Sequence, residues 1–130
     1  MCVALVVDDD PTQQMIISKL LKKVGLDVIL ASDGVEALEQ VESKSPVLVI
    51  LDILMPGMNG YEVCQLLKSN EKTQNLPILI YSGQEKEFNL KHDHKSKADA
   101  YLSKLCHPQD LINAVQQLLL IKKKPKCVAG

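Results

Sequence analysis

Cys2-Val3-Ala4-Leu5-Val6-Val7-Asp8-Asp9-Asp10-Pro11 opens the chain with six apolar residues followed at once by three aspartates and a proline. A run this short, rich in valine and free of polar interruption, is expected as a strand buried on both faces, the signature of a parallel sheet covered by helices. Pro11 suits the first turn of a helix. The pattern then repeats. Residues 28–31, 47–51, 78–81 and 100–102 are further short apolar runs, each read as a strand. Between them lie helical stripes: Ile16, Ile17, Leu20, Leu21 and Val24 recur on one face of a 3.6-residue period, as do Val35, Leu38 and Val41 after the turn at Asp33-Gly34. Val63, Cys64, Leu66 and Leu67 mark a third helix. Leu111, Ile112, Val115, Leu118 and Leu119 mark the last, with Pro108 at its opening. Residues 85–97 are expected as one more helix, although Phe88 and Leu90 are its only large apolar side chains. Five strands alternating with five helices indicate an α/β domain with a parallel sheet and helices on both faces.

The whole chain is consistent with this. At 130 residues and 46% hydrophobic content it is sized for one core, expected over residues 1–121, with 122–130 a basic tail or the start of a linker. Fifteen basic and sixteen acidic residues leave a formal charge of −1, which points away from nucleic acid and from anionic membranes as direct partners. Cys2, Cys64, Cys106 and Cys127 have no zinc-binding spacing and are read as reduced thiols. No apolar run approaches the roughly 18 residues of a membrane span and no signal peptide is evident, so a cytoplasmic protein is expected.

The polar residues that follow the strands carry the functional signal. The first run ends in Asp8, Asp9 and Asp10, the third in Asp52, the fourth in Ser82 and the fifth at Ser103-Lys104. In a parallel sheet these ends share one edge, the edge at which open α/β folds bind ligands. Clustered carboxylates repel unless protonated or bridged by a cation, and an all-oxygen donor set favours Mg2+, Ca2+ or Mn2+ over zinc or copper. A carboxylate beside such an ion, a lysine and a hydroxyl has the parts needed to accept a phosphoryl group. Asp10 is better explained as the cap of the first helix.

At this point the sequence resembles the receiver, or CheY-like, family of two-component response regulators over nearly its whole length. Leu51-Asp52-Ile53-Leu54-Met55-Pro56-Gly57-Met58-Asn59-Gly60 is similar to the family's phosphoacceptor loop, and Asp33-Gly34-Val35-Glu36-Ala37-Leu38 and Ala98-Asp99-Ala100-Tyr101-Leu102-Ser103-Lys104 to its other recurring segments. The resemblance implies a flavodoxin-like, doubly wound five-stranded sheet of order 2-1-3-4-5. It implies Asp52 as a phosphoacceptor served by a histidine kinase or a histidine phosphotransfer protein. Asp8, Asp9, Asp52 and the carbonyl of Leu54 would hold Mg2+, and Lys104 would pair with Asp52 and then with the phosphate. Ser82 and Tyr101 would form the switch that relays phosphorylation to the surface of the fourth helix, fifth strand and fifth helix, read by a downstream protein or a missing output domain. Monomer and phosphorylation-linked dimer both remain open, and no enzymatic turnover beyond the domain's own phosphorylation and dephosphorylation is implied.

Two positions depart from the family pattern. The residue after Lys104 is Leu105 where proline is usual; because a cis bond before a non-proline residue costs about 2.5 to 4 kcal/mol, a trans bond and a shifted loop are expected. Lys97 stands where a glycine is usual at the end of the fourth helix. The competing reading is therefore a pseudo-receiver that binds a partner without being phosphorylated. A phosphatase using Asp52 as nucleophile fits poorly, since the position of its customary second aspartate holds Leu54 and no cap domain is present.

Overall fold

The computed structural model describes residues 2–53, 55, 57–83 and 98–122, with the backbone alone at 121 and 122. The strands are β1 (Val3–Val7), β2 (Asp27–Ala31), β3 (Leu48–Leu51), β4 (Ile78–Ser82) and β5 (Ala100–Ser103). The helices are α1 (Pro11–Lys23), α2 (Gly34–Lys44), α3 (Gly60–Ser69) and, last among the described residues, α4 (Pro108–Lys122). The helix expected over 85–97 and Lys97 itself fall outside the described residues, as does most of the tail. All strands run parallel in the order β2-β1-β3-β4-β5, so strand order reverses between β1 and β3. That crevice is where such folds place their ligands.

Period-two alternation sorts most buried strand residues into two main cores, one on each face of the sheet. Ala4, Val6, Leu48, Ile50 and Leu79 pack with Ile17, Leu20 and Leu21 of α1 and with Leu111, Val115 and Leu118 of α4. Leu5, Val7, Val49, Leu51 and Ile78 face the other way, onto Ala37 and Val41 of α2 and Val63, Cys64 and Leu67 of α3. Not every residue of the helical stripes is inside: Ile16, Val35 and Leu66 remain exposed.

Helix starts follow their caps. Asp10 Oδ1 accepts the Thr12 N–H at 2.9 Å and Asp33 Oδ1 the Glu36 N–H at 2.8 Å, while Asn59 and Glu62 form a reciprocal capping box on α3. No helix among the described residues is long and apolar enough to cross a membrane. Cys64 and Cys106 are free thiols and Cys2 is disulfide-bonded, which corrects the reading of all four cysteines as reduced. Wide cysteine spacing excludes a zinc motif but not a disulfide, which depends on the geometry of two thiols and not on their separation in sequence.

Candidate functional site

Four of the five strands deliver a polar residue to the same edge. Asp8 directly follows β1 and is almost fully buried; its N–H donates to the Ala31 carbonyl at 3.1 Å, and its Oδ1 accepts the Asp10 N–H at 2.9 Å. Asp9, next along, is exposed. Asp52 follows β3, is buried, and is held by its N–H to the Val7 carbonyl at 2.9 Å. Carboxylate oxygens of Asp8, Asp9 and Asp52 lie within 4.8 Å of one another. Lys104 reaches in from the end of β5, its Nζ 2.8 Å from Asp8 Oδ2 and 3.4 Å from Asp52 Oδ1.

The electrostatics of this cluster follow from burial. Loss of solvent pushes the Asp52 carboxyl from its ordinary 3.8 up to about 6; Asp8 adds to the rise and Lys104 opposes it. Burial by itself would pull the Lys104 ammonium down, yet Asp8 and Asp52 outweigh it and leave lysine more basic than usual. One ammonium thus serves two buried carboxylates, and negative charge remains in excess. The donor set is wholly oxygen, so a small hard divalent cation fits both the charge and the chemistry of Asp8, Asp9 and Asp52. Leu54, whose carbonyl was expected as a further ligand, lies outside the described residues.

The departure at Leu105 has a structural answer. The Lys104–Leu105 peptide is trans, as expected. The turn is closed by the Leu105 N–H donating to Ser103 Oγ at 3.0 Å and the Cys106 N–H donating to the Ser103 carbonyl at 3.1 Å, while the Lys104 N–H donates to the Ser82 carbonyl at 2.9 Å. Ser103 therefore supplies hydrogen bonds where a proline ring would supply stiffness, and Leu105 itself points into solvent.

Ser82 is the last residue of β4 and is buried. Tyr101, on β5, is half-buried against a small cluster of Ile53, Tyr61 and Ile80. The loop between β3 and α3 returns sharply: Gly57 has a φ of +76°, and the Gly60 N–H donates to the Ile53 carbonyl at 2.9 Å. A Cβ at Gly60 would stand 2.2 Å from the Asp52 carbonyl oxygen, so only glycine allows α3 to start this close to the buried aspartate.

A sheet of order 2-1-3-4-5 with three carboxylates and a lysine on one edge matches a known family. The sequence model of the response regulator receiver domain matches residues 4–116. The chain belongs to the response regulator receiver family. Receivers are signalling domains of two-component systems. This receiver is 34% identical over 112 residues to the protein PilG of Pseudomonas aeruginosa, covering 86% of this chain and 83% of that one. It is 35% identical over 115 residues to the alkaline phosphatase synthesis transcriptional regulatory protein PhoP of Bacillus subtilis, covering 88% of this chain but 47% of PhoP, so it spans about half of that relative. Among solved structures, the response regulator TrrA of Thermotoga maritima in complex with Mg2+ and BeF superposes with a TM-score of 0.83 at 31% identity, covering 92% of this chain and all of that one.

Two features of the receiver escaped the sequence. Lys68, near the end of α3, is half-buried and its Nζ donates to Asp99 Oδ2 at 2.8 Å, to the Leu76 carbonyl at 2.9 Å and to the Gln74 carbonyl at 3.1 Å; Asp99 Oδ2 also accepts the Ile78 N–H at 2.8 Å. This ties the starts of β4 and β5 to α3 at the edge opposite the acidic cluster. The second is Gln14, whose contacts reach the acidic turn. Neither residue belongs to a local pattern that marks it.

Proposed function

We propose that this receiver accepts a phosphoryl group on Asp52 from a histidine kinase or a histidine phosphotransfer protein, in a reaction that requires Mg2+. The observation carrying the reading is the buried Asp52 carboxylate, 3.4 Å from the Lys104 ammonium and within 4.8 Å of two further carboxylates. An Asp52 oxygen attacks phosphorus as the bond from phosphorus to the donor's imidazole nitrogen breaks, and the imidazole departs with the electron pair to be protonated by solvent. Asp52 then carries an acyl phosphate. Since its carboxyl titrates near 6 without metal, it is mostly ionised at neutral pH and competent to attack.

Asp8, Asp9, Asp52 and the Leu54 carbonyl are the residues that would hold Mg2+, which supplies positive charge to the transferring oxygens. Lys104 provides a second positive charge, moving from its two carboxylates onto the phosphate, and the Ser82 hydroxyl donates a hydrogen bond to a phosphate oxygen. Filling the space beside Ser82 would draw Tyr101 inward. The surface of residues 85–97, β5 and α4 then changes to suit a downstream protein or an output domain, as a monomer or a phosphorylation-linked dimer. The protein would act in the cytoplasm, with neither nucleic acid nor membrane as a direct partner. Lys104's reach to both aspartates despite Leu105 favours this reading over a pseudo-receiver.

Intact mass after incubation with Mg2+ and acetyl phosphate tests it. Wild type gains the mass of one phosphoryl group, while Asp52→Asn and wild type in EDTA do not. No adduct on wild type, under conditions that label another receiver, would leave the pseudo-receiver as the better account.

A further inference from the structure

We infer that Gln14 is a positioning residue for the acidic turn, setting the aim of Asp8 and Asp9 and thereby the affinity of the site for a divalent cation. The inference rests on the proposed metal role of those two residues and adds to it the side chain that fixes them.

Gln14 lies in the first turn and a half of α1 and is half-buried. Its Nε2 donates to the Asp8 carbonyl at 2.7 Å and to the Ala31 carbonyl at 3.3 Å, with Ser32 Oγ at 3.5 Å. The Asp8 carbonyl belongs to the peptide that joins Asp8 to Asp9, so its orientation governs where both side chains leave the backbone. Asp8 is gripped from both ends: its N–H donates to the same Ala31 carbonyl at 3.1 Å, and its C=O accepts from Gln14. One amide thus staples the end of β1 to the end of β2.

The chemistry of the residue fits the task. A primary amide has two N–H donors on one nitrogen and can serve two carbonyls together, which a hydroxyl cannot. It carries no charge, so it orients the carboxylates without competing with a cation for them. The bond from the Asp8 N–H to the Ala31 carbonyl is a ladder rung at the ends of β1 and β2, and the Asp8 carbonyl beyond it takes its donor from a side chain. Groups that orient ligands in this way ordinarily set metal affinity by tenfold or more when removed.

The test is a Mg2+ titration of the 130-residue chain followed by NMR shifts of the backbone amides, independent of phosphorylation. Gln14→Met keeps the length of the side chain and removes both donors; it is expected to weaken Mg2+ binding roughly tenfold. Gln14→Asn, one methylene shorter, keeps the amide but not its reach and should show the same loss, which covers the case that the methionine variant does not fold. Ser18→Ala is the control: Ser18 Oγ donates to the Gln14 carbonyl at 2.6 Å, so its loss perturbs the same helix without touching the acidic turn. Its affinity should equal that of wild type. A wild-type affinity in both Gln14 variants, or an equal loss in Ser18→Ala, overturns the inference while leaving the metal site standing. No Mg2+ binding by wild type overturns the metal site and this inference together.

Discussion

Replacing Asp52 with asparagine should make the metal-free protein more stable, and the size of the gain follows from the carboxyl's environment. A rise from 3.8 to about 6 means that the folded protein binds this proton more tightly than the unfolded chain does. Stability from this group is therefore complete at low pH, is lost as pH climbs from about 4 through 6, and stays lost above that. The rise corresponds to roughly 3 kcal/mol at pH 7.5. Discounting for solvent at the open sheet edge leaves about 1 to 2 kcal/mol. Asparagine has nearly the same shape and no charge, and Lys104 keeps its bond to Asp8 at 2.8 Å. In EDTA at pH 7.5, Asp52→Asn should raise Tm by about 4 to 8 °C, using about 4 °C per kcal/mol for a domain of this size. The gain should shrink to about a third near pH 4.5, where the native carboxyl is already protonated. Mg2+ should raise the wild-type Tm by more than that of the variant, because the variant lacks one ligand and the repulsion that the ion relieves. Thermal and urea denaturation at both pH values decide the matter. A variant no more stable than wild type at pH 7.5, or a gain that does not change with pH, would refute an uncompensated buried charge on Asp52.

Gly60→Ala should cost about 3 kcal/mol, the upper end for overpacking, because the added methyl meets the Asp52 main chain rather than a yielding side chain; a loss below about 0.5 kcal/mol by urea denaturation would show that the loop can move away. Lys68→Met should cost about 2 to 3 kcal/mol by removing the ammonium that faces the Asp99 carboxylate, and adding Asp99→Asn should recover part of it, so strictly additive losses would argue against the pair. Lys104→Met should destabilise the metal-free protein by about 2 kcal/mol, since Asp8 is nearly inaccessible to water, and should enlarge the Tm gain produced by Mg2+. An unchanged Mg2+ effect in that variant would mean that lysine and metal do not share the same carboxylates.

Much of the fold was legible because its signals are local. Short apolar runs bounded by aspartate or proline set every strand to within about one residue, and helical spacing set the four helices seen among the described residues. The cap assigned to Asp10 is there too. What spacing overstated was burial: Ile16, Val35 and Leu66 share a helical period with core residues but sit on the stripe's margin. Convergence of Asp8, Asp9, Asp52 and Lys104 was also readable, since parallel strands put all their carboxyl ends on one edge.

Sequence by itself determined the elements, their alternation and the edge on which acid and lysine meet, because strand period, helix period and the direction of a parallel sheet need only neighbouring residues. Tertiary structure alone decided that Lys104 lies closer to Asp8 than to Asp52 and that Ser103 closes the turn of the missing proline. It also decided that Lys68 pairs with Asp99 and that Gln14 joins the ends of β1 and β2. Most of these are contacts between segments far apart in the chain, and all are set to a few tenths of an ångström by how helices dock and how turns close. No pattern along the chain encodes that distance.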